Sequence, residues 1–299
     1  MISPAGYSKA ATAAVIAAMM LGVFSSASAC TLFAARGDGL VAGGGTLAVK
    51  VRDWHPDLQV VKTVRPSGGY AFYGLLTGRR ERFNMGINEK GLFIGTSTAG
   101  TVRKATLEQY PRVDPKTNLK NVETLIRSAA TVDEAIRMAS AFTRPVNYIL
   151  ADKNEIAVVE VPPGGPAVVR RTLRGTLVQT NHYVLPGALH GNERRTSESS
   201  RTRYERAGEL LRSLPRPAGL EHFIAITRDQ HDGPDRSIFR VGSSPEKSRT
   251  RAVCAVHLHP DGSIDMVMTH APDRNDPEYM PTKRLHFAAG SVEPVELKD

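Results

Sequence analysis

Residues 25–35 read SSASACTLFAA, and this stretch joins two segments of different character. Before it comes an uncharged, mostly apolar run that starts after Lys9. A positive charge, an apolar run and small residues at the third and first places before a junction are typical of a secretory signal peptide. The sequence therefore predicts that residues 1–29 are removed and that the mature chain, residues 30–299, begins with Cys30.

A membrane anchor is the alternative interpretation of the apolar run. The run is shorter than the ~20 residues that a membrane-spanning helix needs, and it fades into small polar residues. No later stretch of the sequence is apolar over such a length. We therefore expect an exported protein, periplasmic or secreted, with no stable membrane insertion after the signal is removed.

Size and charge exclude some classes of function. A chain of 299 residues can bury a sizeable core in one domain, so residues 30–299 are expected to form a single domain. The formal net charge is +9, and the positive residues are spread along the chain. They are not interleaved with aromatic residues or placed in a groove-reading motif, so we expect no nucleic-acid partner. A basic surface is compatible with anionic lipid or acidic substrates.

The sequence contains two cysteines, Cys30 and Cys254. A pair of cysteines in an exported protein usually suggests a disulfide. Cys30, however, would be the first residue of the mature chain, and chain ends are usually poorly ordered unless they are tied down. Cys254 lies in the apolar run AVCAV and is expected to be a buried, small hydrophobic side chain.

An amino-terminal cysteine can supply a nucleophile and a base from one residue. The thiolate is the nucleophile, and an α-amine, which titrates at about 7.7–8.0, is partly unprotonated near neutral pH and can take the thiol proton. Two alternatives stay open: Cys30 follows the cleavage site by chance, or it is lipidated as in a lipoprotein. The lipoprotein signal usually has Leu or Val three places before the cysteine, where this chain has Ala27.

Hydrophobic patterning predicts strands and helices in separate blocks. Apolar and β-branched runs bounded by turn residues predict strands at 30–35, 46–51, 58–64, 92–97, 147–151, 156–161, 252–259 and 263–270. Apolar residues spaced three and four apart predict helices at 119–129, 132–141, 200–214 and 220–228. Thr131, with Glu134 three residues later, is the predicted N-cap of the second helix. This arrangement indicates an α+β fold of antiparallel sheets with segregated helices.

Five short motifs follow one another along the mature chain. They are CTLF (30–33), VKVRDWHPD (49–57), GINEKGL (86–92), QTNHY (179–183) and TRYERA (202–207). In this order they resemble the linear amide C–N hydrolases, a group of N-terminal-nucleophile hydrolases that includes choloylglycine hydrolases, penicillin V acylases and isopenicillin N acyltransferase-like proteins. Residues 228–242, RDQHDGPDRSIFRVG, are similar to the last of these branches. The resemblance implies a four-layer αββα sandwich of two antiparallel sheets flanked by helices.

The resemblance also implies roles for five residues. Cys30 would be the nucleophile and, through its amine, the base, while Asp53 would hold that amine in place. Asn88 and Asn181 would stabilise the oxyanion, where one fixed N–H donor contributes ~3–4 kcal/mol. Arg203 would place a positive charge near the thiol or orient Asp53. The implied reaction is hydrolysis of a small-molecule N-acyl amide through a thioester acyl-enzyme, with no cofactor and no metal.

One position departs from the choloylglycine hydrolases. They carry Arg three residues before the catalytic Asp, where this chain has Lys50, a compact point charge without the planar fork of arginine. Arg52 is the other cation beside the motif. If strand alternation places Lys50 and Arg52 on one face, Asp53 points to the other face, and either cation could serve the thiol. The departure favours the acyltransferase-like branch and argues against bile salts as substrates.

Three functions stay open: an amidase, an acyltransferase that passes the same acyl group to an amine, and a non-catalytic lipid-anchored or secreted binding protein. His257 and His259 share one strand face beside Asp261, but no third ligand is recognisable by its spacing, so no metal site is predicted. The substrate pocket is expected to be built from loops such as 103–118 and 189–200. Because proteins of the resembled group are often multimeric, a homo-oligomer is compatible with the sequence.

Overall fold

Two antiparallel sheets of seven strands each form the centre of the structure, a computed structural model that describes residues 29–276 and 278–298. The predicted signal peptide, apart from Ala29, lies outside the described residues. Among the helices of the described residues, none is long and apolar enough to cross a membrane.

The described residues form fourteen strands and five helices, with the helices grouped between blocks of strands. In chain order the strands are β1 (Ala29–Arg36), β2 (Thr46–Trp54), β3 (Gln59–Val64), β4 (Phe72–Thr77), β5 (Arg82–Asn88), β6 (Phe93–Thr98), β7 (Val146–Ala151), β8 (Ile156–Val161), β9 (Val168–Thr172), β10 (Gly175–Gln179), β11 (Arg249–Leu258), β12 (Ile264–His270), β13 (Thr282–Phe287) and β14 (Val295–Glu296). The helices are α1 (Lys104–Glu108), α2 (Asn121–Ser128), α3 (Val132–Arg137), α4 (Glu198–Ser213) and α5 (Leu220–Thr227), with short 3₁₀ segments at Ala139–Ala141 and Pro186–Gly191.

The two sheets differ in how the chain builds them. Sheet II has the order β3-β4-β5-β6-β7-β8-β9, so each strand pairs with its neighbour in sequence. Sheet I has the order β10-β1-β2-β11-β12-β13-β14. Strand β1 therefore lies between its sequence neighbour β2 and the distant strand β10, while β11 pairs with the other edge of β2. This order brings the start of the mature chain next to segments from its middle and its end.

Three hydrophobic cores separate four layers. Side chains alternate between the faces of each strand, so Leu32 enters the core between the two sheets and Phe33 enters the core under the helices. The inter-sheet core packs residues such as Leu32 against Phe93 of sheet II. Helices α2 and α3 cover the outer face of sheet II, and α4 and α5 cover the outer face of sheet I. The predicted four-layer αββα sandwich is confirmed.

All the predicted strands and helices are present, with ends that differ by a few residues. The N-cap of α3 is confirmed, because Thr131 accepts a hydrogen bond from the Glu134 backbone N–H at 3.1 Å and Glu134 accepts one from the Ala130 N–H at 2.8 Å. The patterns did not predict α1 or six strands, β4, β5, β9, β10, β13 and β14. In β4 and β5 the facing glycines Gly74 and Gly86 interrupt the β-branched pattern.

We expect Gly74→Ala to lower the free energy of unfolding by ~1–3 kcal/mol, the usual cost of overpacking. A Cβ at Gly74 would lie 2.3 Å from the Met85 carbonyl oxygen and 2.8 Å from the Phe83 ring, so the β4–β5 pair would have to open. Urea unfolding measures the change. Gly68→Ala is the matched control, because a Cβ there meets open space. Equal effects of the two substitutions would contradict this account.

Candidate active site

Three distant chain segments meet at the beginning of β1. Cys30 lies on β1 directly opposite Arg52 of β2, and β10 ends two residues before Asn181. Helix α4 packs over the outer face of β1 with a buried stripe at Ser200, Arg203, Ala207 and Leu211, a spacing of three and four residues that is one helix face. Arg203 is therefore buried by the same periodicity that places apolar residues against the sheet.

Cys30 lies in the wall of a cavity of about 600 Å³ and is buried, with 4% of its surface exposed. Its backbone N–H donates to Asn181 Oδ1 at 2.8 Å, and its carbonyl oxygen accepts a hydrogen bond from the Arg203 guanidinium. No disulfide joins Cys30 to Cys254 in the residues that the structure describes. Cys254 is buried in the inter-sheet core as predicted, and burial raises the pKa of its thiol to about 12.

Asn181 is held by hydrogen bonds from several elements. Its Oδ1 also accepts from Arg203 Nη2 at 3.0 Å, and its Nδ2 donates to the Thr98 carbonyl at 2.9 Å, at the end of β6. Its backbone N–H donates to Ser200 Oγ at 2.9 Å, and the same hydroxyl lies 2.8 Å from His182 Nδ1. Burial lowers the pKa of His182 to about 4, so the imidazole is neutral. The amide of Asn181 is therefore fixed beside Cys30.

Asp53 is fully buried on the opposite face of β2 from Arg52. Its Oδ1 accepts a hydrogen bond from Thr250 Oγ1 at 2.8 Å, while its Oδ2 is buried with no hydrogen-bond partner among the described residues. Burial raises the pKa of this carboxyl, and the positive charges of Arg240 and Arg203 oppose that rise. In the strand register Asp53 is the partner of Ala29, the residue before Cys30. A buried carboxylate oxygen therefore lies beside the predicted cleavage site.

The guanidinium of Arg203 donates hydrogen bonds to several groups around Cys30. It donates through Nη1 to the Cys30 carbonyl and, at 3.0 Å, to Thr31 Oγ1, and through Nη2 to Asn181 Oδ1. Burial lowers its pKa to about 10, while the nearby Asp53 raises it, so the guanidinium is charged at neutral pH. The structure brings Arg203 to the site, where its hydrogen bonds hold the carbonyl of Cys30 and the amide of Asn181.

The two cations of β2 have different partners. The predicted alternation along β2 is present. Arg52 lies opposite Cys30, Lys50 lies on the same face of β2 as Arg52, and Asp53 lies on the other face. Arg52 binds Asp57 at 2.7 Å, and Gln59 accepts from the same guanidinium at 3.2 Å.

The Lys50 ammonium donates to both the side-chain and backbone oxygens of Asn84. Burial lowers the pKa of Lys50 to about 7, and the nearby Cys30 opposes that decrease. Both cations line the cavity together with Cys30, Arg52 with its guanidinium paired to Asp57 and Lys50 with no carboxylate partner among the described residues.

Asn88 does not line the cavity, and its side-chain amide is engaged elsewhere. Its Nδ2 donates to the carbonyls of Ile126 and Ala129, each at 2.8 Å, and its Oδ1 accepts from the N–H groups of Lys90 and Leu92, each at 3.1 Å. Of the β5 residues, Phe83 and Asn84 line the cavity, and the nearer of them in sequence, Asn84, is four positions before Asn88, ~13 Å along a strand. The amide of Asn88 closes its own turn and binds the end of α2.

Most of the cavity wall comes from residues that carry no sequence motif. Its apolar residues are Phe83, Leu107, Val122, Val146 and Tyr148, and its cations, besides those of β2, are Arg112, Lys120 and Arg144. The 103–118 loop contributes as predicted, but no residue of 189–200 lines the cavity. The sequence does not single out Arg112 and Lys120, because many exposed cations occur along the chain. Only the fold shows that these two lie at the cavity.

The histidine pair of β11 is part of a hydrogen-bonded cluster. The rings of His257 and His259 lie 3.8 Å apart, and Asp265 bridges His259 and His286 at 2.8 and 2.7 Å. Asp261 instead accepts hydrogen bonds from Ser263. Within the described ranges, 29–276 and 278–298, no group of His, Cys, Asp or Glu is arranged to hold a metal ion.

We expect Asn88→Ala to lower the free energy of unfolding by roughly 2–5 kcal/mol, because several buried backbone groups lose their hydrogen-bond partner. Chemical unfolding with and without the substitution measures the loss. Asn154→Ala is the control, since Asn154 is exposed on a turn. A stable Asn88→Ala variant would contradict a structural role.

Because Lys50 is buried, its titration should make the free energy of unfolding rise with pH. Its pKa is about 7 in the folded protein, against 10.5 for an unperturbed lysine, so the unfolded chain binds more protons between those values. We expect Lys50→Met to be more stable than the parent at pH 6. That advantage should shrink by up to ~1.4 kcal/mol per pH unit between pH 7 and about 10.

Unfolding midpoints measured across this pH range test the effect of Lys50. Lys116→Met is the matched control, because Lys116 is exposed and lies outside the cavity wall. It should show no such trend. A difference between Lys50→Met and the parent that is independent of pH would refute the assignment.

Solved structures with the same fold include an acylase and an amidase ortholog. Penicillin V acylase from Agrobacterium tumefaciens superposes with a TM-score of 0.53 at 17% identity, covering 90% of this chain and 98% of that chain. The Caenorhabditis elegans ortholog of N-acylethanolamine-hydrolyzing acid amidase has a TM-score of 0.53 at 14% identity, covering 78% of this chain and 95% of that chain. At such identities the likeness shows the fold, the N-terminal-nucleophile hydrolase sandwich.

Sequence comparison gives the family. No curated protein sequence matches the chain significantly. Residues 41–270 match the family model described as acyl-coenzyme A:6-aminopenicillanic acid acyl-transferase. This match spans β2 to β12 and includes every sequence-predicted site residue except Cys30. The chain therefore belongs to the acyl-coenzyme A:6-aminopenicillanic acid acyl-transferase family, within the N-terminal-nucleophile linear amide hydrolases.

Proposed function

We propose that this protein is an exported amidase that cleaves a linear, non-peptide amide C–N bond with Cys30 as its nucleophile. The observation that carries the proposal is the position of Cys30. Its side chain belongs to a cavity of about 600 Å³, and its backbone nitrogen lies 2.8 Å from Asn181 Oδ1. Removal of the preceding residues would turn that nitrogen into an amine beside a thiol, the pair that N-terminal nucleophiles use.

Cleavage before Cys30 would also satisfy a buried acceptor. In the uncleaved chain this nitrogen carries one hydrogen, which Asn181 accepts. The new amine carries additional hydrogens, and the unpartnered Oδ2 of Asp53 belongs to the strand partner of Ala29. An unsatisfied buried polar group costs ~1–3 kcal/mol, so a hydrogen bond from the amine to Asp53 would stabilise the mature form. It would also orient the amine toward the thiol.

The proposed reaction proceeds by acyl transfer to sulfur. The amine of Cys30 takes the thiol proton, and the thiolate attacks the amide carbonyl carbon while Lys50 supplies a nearby positive charge. Asn181 Nδ2 carries a second hydrogen besides the one given to Thr98, and this N–H is the proposed oxyanion donor. When the C–N bond breaks, the leaving amine takes the proton from the Cys30 ammonium. Water then attacks the thioester, with the amine again as base.

Acyl transfer to an amine is the second candidate function. The family model describes an acyl-transferase, and the same thioester would serve both reactions. The outcome depends on whether water or an amine reaches the acyl-enzyme. A lipid-anchored binding protein is less consistent with the geometry, because Cys30 is only 4% exposed and its carbonyl is bound by Arg203.

The test uses mature protein that begins at Cys30, confirmed by intact mass. It is screened against N-acyl amino acids, N-acyl homoserine lactones, penicillin V and conjugated bile salts. Cys30→Ser should reduce kcat/KM by ~10³-fold or more, and Asn181→Ala by ~10²–10³-fold. Cys254→Ala is the matched cysteine control and should retain activity. Product analysis with added amines separates hydrolysis from acyl transfer.

Two results would overturn the proposal. One is full amidase activity in Cys30→Ser. The other is a diacylglyceryl adduct on Cys30 of the exported protein, because a lipidated cysteine has lost its thiol.

A further inference from the structure

The cavity wall carries more positive charge than the proposed chemistry at Cys30 requires. Its cations are Lys50, Arg52, Arg112, Lys120 and Arg144, and its single carboxylate is Asp57. Arg52 and Asp57 form an ion pair at 2.7 Å and neutralise each other. Lys50 is the cation assigned to the thiol in the proposed reaction. The other three cations therefore leave this wall with an excess of positive charge.

Lys120 is the strongest candidate for binding an anion. No hydrogen bond or ion pair of its ammonium occurs in the part of the chain that the structure describes. Burial lowers its pKa, the positive charges of Arg52, Arg82 and Arg112 lower it further, and Glu123 opposes them. Glu123 itself lies 3.8 Å from Arg127. An anion in the cavity would offset the cost of keeping the Lys120 ammonium charged.

Two arginines extend the same charged surface. Arg144 donates through Nη1 to the carbonyls of Leu107 and Tyr110, which holds its guanidinium at the edge of the cavity. Burial and the charge of Arg112 lower the pKa of Arg144, so these side chains are close in space. Arg112 is exposed. A guanidinium presents a planar set of donors that matches a carboxylate.

The same cavity also offers an apolar surface. Phe83, Val122 and Val146 lie in its wall, together with the aromatic ring of Tyr148. Its volume of about 600 Å³ falls within the ~300–1,000 Å³ usual for small-molecule sites. A substrate that fits both surfaces has an apolar part and an anionic group. A neutral fatty amide would leave Arg112 and Lys120 of the cavity wall without an anionic partner.

We propose that the substrate is a linear amide that carries a carboxylate, and that Lys120 and Arg112 bind this carboxylate while the apolar part packs against Phe83 and Tyr148. This inference rests on the proposed amidase function. N-acyl amino acids are the simplest compounds of this class. Lys120 and Arg112 are specificity residues, and they take no part in bond breaking.

The test compares each acid with its methyl ester in two pairs of substrates. One pair, an N-acyl glycine and its ester, places the charge on the amine side of the scissile bond. The other, a glutaryl amide and its ester, places it on the acyl side. The mature parent should prefer the acid in at least one pair by about tenfold or more, as expected for a hydrogen bond to a charged group. Added salt should weaken the preference.

Substitutions test whether Lys120 and Arg112 cause the preference for the acid. Lys120→Gln should remove most of it by raising KM for the acid far more than for the ester, and Arg112→Gln should have a smaller effect. Lys116→Gln, an exposed change on the same loop, is the matched control. If Lys120→Gln fails to fold, the exposed Arg112 variant and the salt dependence still decide the matter.

The outcomes separate this inference from the proposed function. Cleavage of no amide at all by the mature parent would overturn the amidase itself. Equal cleavage of acid and ester in both pairs, or an acid preference that survives in Lys120→Gln, would overturn only the role of the cationic wall.

Discussion

The buried guanidinium of Arg203 is the interaction on which the site depends. A buried charge is costly unless hydrogen bonds and opposite charge compensate it. Arg203 meets that requirement with the carbonyl of Cys30, the hydroxyl of Thr31 and the amide oxygen of Asn181, and with the negative charge of Asp53 nearby. These partners come from β1, from the segment after β10 and from β2. The same contacts that stabilise the charge therefore set the position of the first strand.

The pleat of β1 and β2 divides the site into two environments. On the inner face, the side chain of Cys30 and the ammonium of Lys50 belong to the cavity. On the outer face, Asp53 and Arg203 are enclosed by α4 and the strands. The backbone nitrogen of Cys30 connects the two. In the proposed mechanism this arrangement keeps the group that holds the amine away from substrate, because a carboxylate in the cavity would repel an anionic ligand.

The cavity shows how a common fold can be adapted to a particular substrate. The proposed nucleophile and its supports come from β1, β2, α4 and the segment after β10, whereas the rest of the cavity wall comes mainly from β5, β6, β7, α2 and the 103–118 loop. Changes in that loop can alter the charge of the wall without moving the hydrogen bonds of Arg203. The ion pair of Arg52 with Asp57 shows that the charge of Arg52 is already compensated. The uncompensated charge lies on Arg112 of that loop, on Lys120 just before α2 and on Arg144 just before β7.

Hydrophobic periodicity is a local property, and it was enough to predict an α+β fold of antiparallel sheets with segregated helices. The resemblance carried by short motifs implied the four layers and pointed to the segments of Cys30, Asp53, Asn181 and Arg203. Facing glycines concealed strands such as β4, because a glycine contributes no side chain to the pattern. Only the tertiary structure showed that the Asn88 amide binds the end of α2, and only it gave Lys50 and Arg52 their different partners. It also brought Arg112, Lys120 and Arg144 together in the cavity wall. Each of those outcomes depends on which distant groups satisfy a buried polar atom, and that is settled only when the sheets and helices pack together.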